Sequence, residues 1–138
     1  MDLIRDIMQT NVITIEHDKS ALDAAKMLTE KKISFLVIQK EDIPIGVVTE
    51  RDIVQKISCL DEKTSEFLLK DIMSTDFKWV NPEEEIENAI QKMLNNNIRR
   101  LLVLENKKLV GVITLTDLAG FLRKKLLING TLKKIESS

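Results

Sequence analysis

Gly46-Val47-Val48-Thr49-Glu50-Arg51-Asp52 returns 65 residues later as Gly111-Val112-Ile113-Thr114-Leu115-Thr116-Asp117. The same shift lays Asp6-Ile7-Met8-Gln9-Thr10 on Asp71-Ile72-Met73-Ser74-Thr75, with no gap between the anchors. Comparing residues 4–54 with 69–119, identities fall at Asp6, Ile7, Met8, Thr10, Ala24, Ile33, Leu36, Gly46, Val47, Thr49 and Asp52. Ordinary composition would give about three by chance. Several other pairs are chemically alike, as in Arg5/Lys70, Val48/Ile113 and Ile53/Leu118. The chain is a tandem duplication, so its function rests on two similar sites or on one at the seam between the halves.

Each copy reads as strand, helix, strand, strand, helix, an α/β chain of α+β type. In the first copy residues 12–15 are expected as a strand. Residues 20–31 are expected as a helix, opened by Ser20 with Asp23 three residues on in a capping-box pattern. Ala21, Ala24, Ala25 and Leu28 form its apolar face. The apolar runs 35–38 and 45–48 read as buried strands around a polar turn at 39–42. Residues 50–57 read as a helix with Thr49 at its N-cap. In the second copy residues 77–80 are strand and 84–95 helix, with strands at 101–104 and 109–113 around a turn at 105–108. Residues 115–126 are its last helix. Asn81-Pro82-Glu83-Glu84 leaves open an earlier helix start than the repeat phase indicates. The divisions are a first repeat over 1–57, a linker over 58–70, a second repeat over 71–126 and a basic tail over 127–138.

At 138 residues the chain has the size of one compact domain, able to bury roughly two-thirds of its surface. Hydrophobic content of 43% and charged content of 31% are globular values. A net charge of −1 exerts no overall pull on nucleic acid or anionic lipid. The basic residues Arg123, Lys124, Lys125, Lys133 and Lys134, against Glu136, read as a solvated helix end and tail; nucleic-acid binding there is the weaker reading. Cys59 is the only cysteine, which fits a reducing compartment. With no apolar run near the ~20 residues of a membrane span and no signal-peptide pattern, the expected location is the cytoplasm. A single Cys and a single His, His17, cannot assemble a metal site of the usual spacing. P-loop and Gly-x-Gly-x-x-Gly patterns are absent and no catalytic constellation is present, so the chain does not read as an enzyme.

The repeated Gly-x-x-Thr-x-x-Asp follows a buried strand and opens a helix. A helix N-terminus offers free N–H groups and a positive dipole end to an anion. The Thr hydroxyl can donate to a phosphate oxygen, and the Asp one turn in can accept from two vicinal hydroxyls, as on a ribose. Gly46 and Gly111 leave room for a ligand or for another stretch of backbone. The structural alternative is that Thr49 and Thr114 are N-caps whose boxes Asp52 and Asp117 complete.

In this order, twice, these elements resemble the CBS-domain pair, the tandem module named after cystathionine beta-synthase. The resemblance covers residues 3–126. It rests on Asp-Ile-Met opening each copy, the Ala-rich first helix, the apolar strands after Ile33 and Ile98, and Gly-Val-[Val/Ile]-Thr-x-x-Asp. It implies two pseudo-symmetric repeats packed through their sheets. It also implies two clefts that bind AMP, ADP, ATP, S-adenosylmethionine or a related regulatory ligand, and pairing into a homodimer. Asp52 and Asp117 would hold ribose hydroxyls. Thr49 and Thr114 would meet phosphate or sugar, and Thr14 would line the base pocket. Arg51 would reach a phosphate, and Thr116, at the matching position, belongs with the binding residues. Arg99 and Arg100 fall where family members carry phosphate-binding basic residues, a task suited to guanidinium geometry; the alternative is a solvated pair. The first copy has Ser34 and Phe35 there. Thr14 becomes Trp79 in the second copy, to stack on adenine, fill the cleft or sit in the core. The proline that often follows the middle-strand Leu is replaced by Val37 and Leu102. The expected function is a stand-alone sensor whose ligand signals to an effector protein not identifiable from sequence; the rival is an interaction scaffold with degenerate clefts.

Overall fold

The computed structural model describes residues 2–128 and Gly130. The first copy supplies strand β1 (Thr14–Glu16), helix α1 (Ala21–Lys31), strands β2 (Phe35–Lys40) and β3 (Ile43–Thr49), and helix α2 (Glu50–Lys56). After a short helix α3 (Leu69–Ile72), the second copy supplies β4 (Trp79–Val80), α4 (Ile86–Asn96), β5 (Arg100–Glu105), β6 (Lys108–Thr114) and α5 (Leu115–Ile128). These strands form two three-stranded sheets, ordered β1-β2-β3 and β4-β5-β6. The first strand of each runs parallel to the second, and β2 runs antiparallel to β3. Both bounds of α1, β2 and β3 land on those of α4, β5 and β6 at the sequence shift.

The local rules behind these elements are visible. Ser20 caps α1 by accepting from Asp23 N–H at 3.1 Å, while Asp23 accepts from Ser20 N–H at 3.0 Å. This reciprocal box satisfies two otherwise unpaired donors. Lys32 and Asn97 end α1 and α4 in the left-handed conformation. The β2–β3 hairpin turns on Glu41 and Asp42 and the second hairpin on Asn106 and Lys107, all at positive φ, which suits the twist of two-residue hairpins. The β2–β3 register shifts at Ile38/Gln39, where Ile38 faces Gly46 and Gln39 faces Pro44, leaving Ile45 as a bulge.

Some expected bounds move. The first strand begins at Thr14 rather than residue 12, and the fourth is reduced to Trp79–Val80. Residues 81–84 do not start a helix. Glu83 N–H donates to Asn81 Oδ1 at 2.9 Å and Glu84 N–H to Asn81 O at 3.1 Å, which makes a turn. The repeat phase therefore sets the start of α4 at Ile86. The linker contains two 3-10 turns, Ser58–Leu60 and Thr64–Glu66, that composition did not signal.

The chain divides into two compact units. One joins the segment ending at Thr10 with Lys78–Glu105 and the chain from Val110 onward; the other joins Asn11–Phe77 with Asn106–Leu109. Each unit has its own apolar cluster. One contains Ile15, Ala21, Ala24, Leu28, Leu36, Ile38, Val48 and Leu69. The other contains Ile4, Val80, Ile86, Ala89, Met93, Leu101, Val103 and Ile113. Ile4 thus packs with second-copy residues and Leu69 with first-copy residues, so each lead-in segment completes the core of the other copy. Ile4 N–H donates to Glu84 O at 2.9 Å and Arg5 N–H to Pro82 O at 3.0 Å. Arg5 is also ion-paired with Glu83. Among the described residues, no helix is long and apolar enough to cross a membrane. Lys133, Lys134 and Glu136 of the expected basic tail lie outside the described residues.

Candidate ligand-binding site

Each Thr-x-x-Asp turn sits where the last strand of a sheet passes into a helix. In the first copy Thr49 N–H and Oγ1–H donate to Asp52 Oδ2 at 2.9 and 3.1 Å, and Asp52 N–H donates back to Thr49 Oγ1 at 3.1 Å. In the second, Thr114 N–H and Oγ1–H donate to Asp117 Oδ2 at 2.9 Å each, and Asp117 N–H returns to Thr114 Oγ1 at 3.2 Å. Both turns are therefore complete capping boxes, and in both Oδ2 is committed to the cap.

The other carboxylate oxygen differs between copies. Asp52 Oδ1 is ion-paired with Lys56 Nζ at 3.1 Å, and that ammonium also donates to Ile72 O at 2.8 Å. At Asp117 the partner among the described residues is an amide: Gln9 Nε2–H donates to its Oδ1 at 3.1 Å and Oδ2 at 3.2 Å. Neither partner was read from the sequence as part of a site. Lys56 is legible in retrospect as the i+4 partner of Asp52. Gln9 has no local signal, because it lies 108 residues away.

Gly46 and Gly111 serve backbone approach. A Cβ on Gly46 would lie 2.6 Å from Met73 Sδ and 3.1 Å from Ser74 O; one on Gly111 would lie 2.7 Å from Gln9 O and 2.9 Å from Met8 Sδ. The residue after each Asp-Ile-Met pairs with the strand beside that glycine. Gln9 and Val112 exchange N–H···O bonds of 2.8 and 2.9 Å, and Ser74 and Val47 exchange bonds of 2.9 and 3.0 Å. Of the two uses expected for these glycines, the close neighbour is the chain itself.

Around the second turn, Leu115 N–H donates to Arg99 O at 2.8 Å, which ties the start of α5 to the residue before β5. Arg99 is exposed and Arg100 half-buried; burial pushes the Arg100 guanidinium pKa down. Thr116 is exposed beside Asp117. Trp79 stands opposite Leu102 in the β4–β5 register. With 48% of its surface accessible, Trp79 is not a core residue, which removes that alternative. Lys92 Nζ lies 5.8 Å from its ring centroid and donates to its carbonyl oxygen at 2.6 Å, within cation–π range.

In the first copy, Leu115 and Arg99 are replaced by Glu50 and Ser34, whose N–H···O bond is 3.1 Å. Arg51 is exposed at the start of α2. Thr14 accepts from Gln39 Nε2–H at 3.3 Å and lines an open groove of about 390 Å³ beside β1 and α1, with Glu16, Lys19, Asp23, Lys26 and Glu30. Second-copy residues Arg99, Arg100, Thr114, Thr116, Asp117 and Trp79 all belong to one unit; Thr14, Thr49, Arg51 and Asp52 belong to the other.

The uncharacterized protein MK0525 of Methanopyrus kandleri is 32% identical over 117 residues, 83% of this chain and 60% of that protein. The homoserine O-acetyltransferase of Methanosalsum zhilinae is 33% identical over 112 residues, but these are only 22% of that enzyme. The chain thus spans less than two-thirds of either relative, 60% of the first and 22% of the second. Among solved structures, a hexameric CBS-CP12 protein from bloom-forming cyanobacteria is 33% identical with a TM-score of 0.74, covering 85% of this chain and 70% of that one. The CBS domain pair of protein MJ0100, solved with 5′-methylthioadenosine and S-adenosyl-L-methionine, is 25% identical with a TM-score of 0.77, covering 91% of this chain and 98% of that one. The CBS domain model matches twice, over residues 4–59 and 69–124. Two matches that take in both lead-in segments and both Thr-x-x-Asp turns make this chain a member of the CBS-domain family, as a tandem pair.

Proposed function

We propose that this CBS pair is a regulatory module that binds an adenosine ligand of the AMP, ADP, ATP or S-adenosylmethionine class at the second-copy Thr-x-x-Asp turn. Asp117 receives ribose hydroxyls, Thr114 and Thr116 meet sugar or phosphate, Arg99 and Arg100 meet phosphate, and Trp79 offers its exposed face to the base. The first-copy set of Thr14, Thr49, Arg51 and Asp52 forms a second, weaker site without the arginine pair. The module acts in the cytoplasm as a homodimer, and an effector protein reads the bound state. Such coupling requires the ligand to favour one arrangement of the protein over another.

One observation carries the choice of the second copy. Among the described residues, the donor recorded at the outer oxygen of Asp117 is the neutral Gln9 amide, whereas Asp52 is paired with an ammonium. The adenosine ligands of the similar MJ0100 pair support the ligand class. The test is calorimetric titration of AMP, ADP, ATP and S-adenosylmethionine into the wild type and into Asp117→Asn, which keeps an acceptor for the cap. Micromolar binding, weakened at least tenfold in Asp117→Asn with unchanged unfolding behaviour, is expected. No heat from any of the four, with folded and nucleotide-free protein, would sink the reading in favour of an interaction scaffold.

A further inference from the structure

We infer that Gln9 is a competitor built into the second-copy site: its side-chain amide occupies the carboxylate positions that a ligand's vicinal diol needs, and a diol must displace it. The inference rests on the proposed adenosine site at Asp117.

A carboxylate has about four lone-pair positions. Asp117 Oδ2 already accepts from Thr114 N–H and Oγ1–H, each at 2.9 Å. The Gln9 amide then reaches Oδ1 at 3.1 Å and Oδ2 at 3.2 Å. With that amide counted as one donor shared between the two oxygens, three positions are taken and one is left, while a diol brings two. The capping bonds come from Asp117's own helix start and hold the turn, so the exchangeable donor is the exposed Gln9 amide.

Gln9 is held in place by its backbone rather than by its side chain. It exchanges two N–H···O bonds with Val112, Met8 packs at Gly111, and Ile4 is buried in the same unit's core. The amide is thus presented to Asp117 by a fixed segment, at a high effective concentration. The first copy has no such device: Ser74 occupies the Gln9 position, and Lys56 engages Asp52 from within its own helix.

A residue that only supports the site and one that competes with the ligand give opposite signs when removed. The experiment titrates AMP and its 2′,3′-dideoxy analogue into the wild-type chain and Gln9→Met, which keeps bulk and removes the donor. Competition predicts that Gln9→Met binds AMP about three- to tenfold more tightly, in line with the net worth of one solvent-exposed hydrogen bond. The dideoxy analogue should show no gain. Gln9→Asn, whose shorter amide falls back from Asp117, should give the same gain and replaces Gln9→Met if that variant does not fold. If wild type binds AMP and the variants bind it equally or more weakly, the competitor role is wrong and the sensor reading stands. If neither wild type nor variants bind AMP or any of ADP, ATP and S-adenosylmethionine, the sensor reading itself fails and takes this inference with it.

Discussion

Replacing Gly111 by alanine tests the central packing feature of the second copy. Neither Gly111 nor Gly46 has a positive φ, so alanine meets no backbone penalty at either position. The cost comes from what a Cβ would touch. At Gly111 the nearest atom is a backbone oxygen, Gln9 O at 2.7 Å, followed by Met8 Sδ at 2.9 Å. Relieving the first contact means moving the strand pairing of Gln9 with Val112. At Gly46 the nearest atom is Met73 Sδ at 2.6 Å, and the nearest backbone atom, Ser74 O, is at 3.1 Å. A thioether swings aside cheaply, and the carbonyl need yield only slightly. Overpacking that displaces backbone costs about 1–3 kcal/mol, and alanine recovers about 0.4–1 kcal/mol from the unfolded chain at either site. Gly111→Ala should therefore lose about 1–2 kcal/mol and Gly46→Ala roughly half that or less. A Cβ added to Gly120, within α5, would meet nothing within 4 Å, so Gly120→Ala should gain about 1 kcal/mol from helix propensity. Urea unfolding followed by circular dichroism reads all three. With a slope near 2 kcal/mol/M, the Gly111→Ala midpoint should fall by about 0.5–1 M. A Gly111→Ala midpoint at or above wild type, or a larger loss at Gly46 than at Gly111, would refute the account of why glycine stands there.

Two further outcomes concern surface groups. Ser20→Ala should cost about 1 kcal/mol by removing the α1 cap. Asp23 is held below the ordinary carboxylate range by Ser20's backbone N–H and then its hydroxyl, so the variant's Asp23 should titrate closer to the ordinary value by NMR while keeping part of the depression. Because that folded-state pKa is depressed, its stabilising effect is present above the unfolded pKa of 3.8 and lost as pH falls through the lower folded value. No change in the Asp23 titration would contradict the capping geometry. Asp2 is likewise depressed by its bond to Lys125 at 2.9 Å. Lys125→Met, or molar salt on the wild type, should return Asp2 towards its ordinary titration, since an exposed pair is screened; an unmoved Asp2 would show that the pair does not form in solution.

Much of the fold was legible because it is local. The α1 capping box joins residues three apart, and both Thr-x-x-Asp boxes do the same. The β2 and β3 strands announced themselves as apolar runs around a polar turn. The short 3-10 turns of the linker were not visible, because a three-residue element has neither periodicity nor a distinctive cap. The N-terminal start of α4 was ambiguous because Asn81-Pro82-Glu83-Glu84 suits both a helix start and an Asx turn. The observed bond from Glu83 N–H to Asn81 Oδ1 selects the turn.

What the sequence determined by itself was the duplication, the order of elements within each copy and the pair of Thr-x-x-Asp turns at helix starts. Residues three or four apart meet in any chain with those dihedrals, so their pairing is written in their spacing. Only the tertiary structure decided that Ile4 completes the core of the second copy and Leu69 that of the first. It alone decided that Gly111 faces the Gln9 backbone, and that Asp117 meets a neutral amide from 108 residues away while Asp52 meets an ammonium. Those choices depend on which distant segments share a packed surface. Close packing settles that question, and it leaves no periodic trace along the chain.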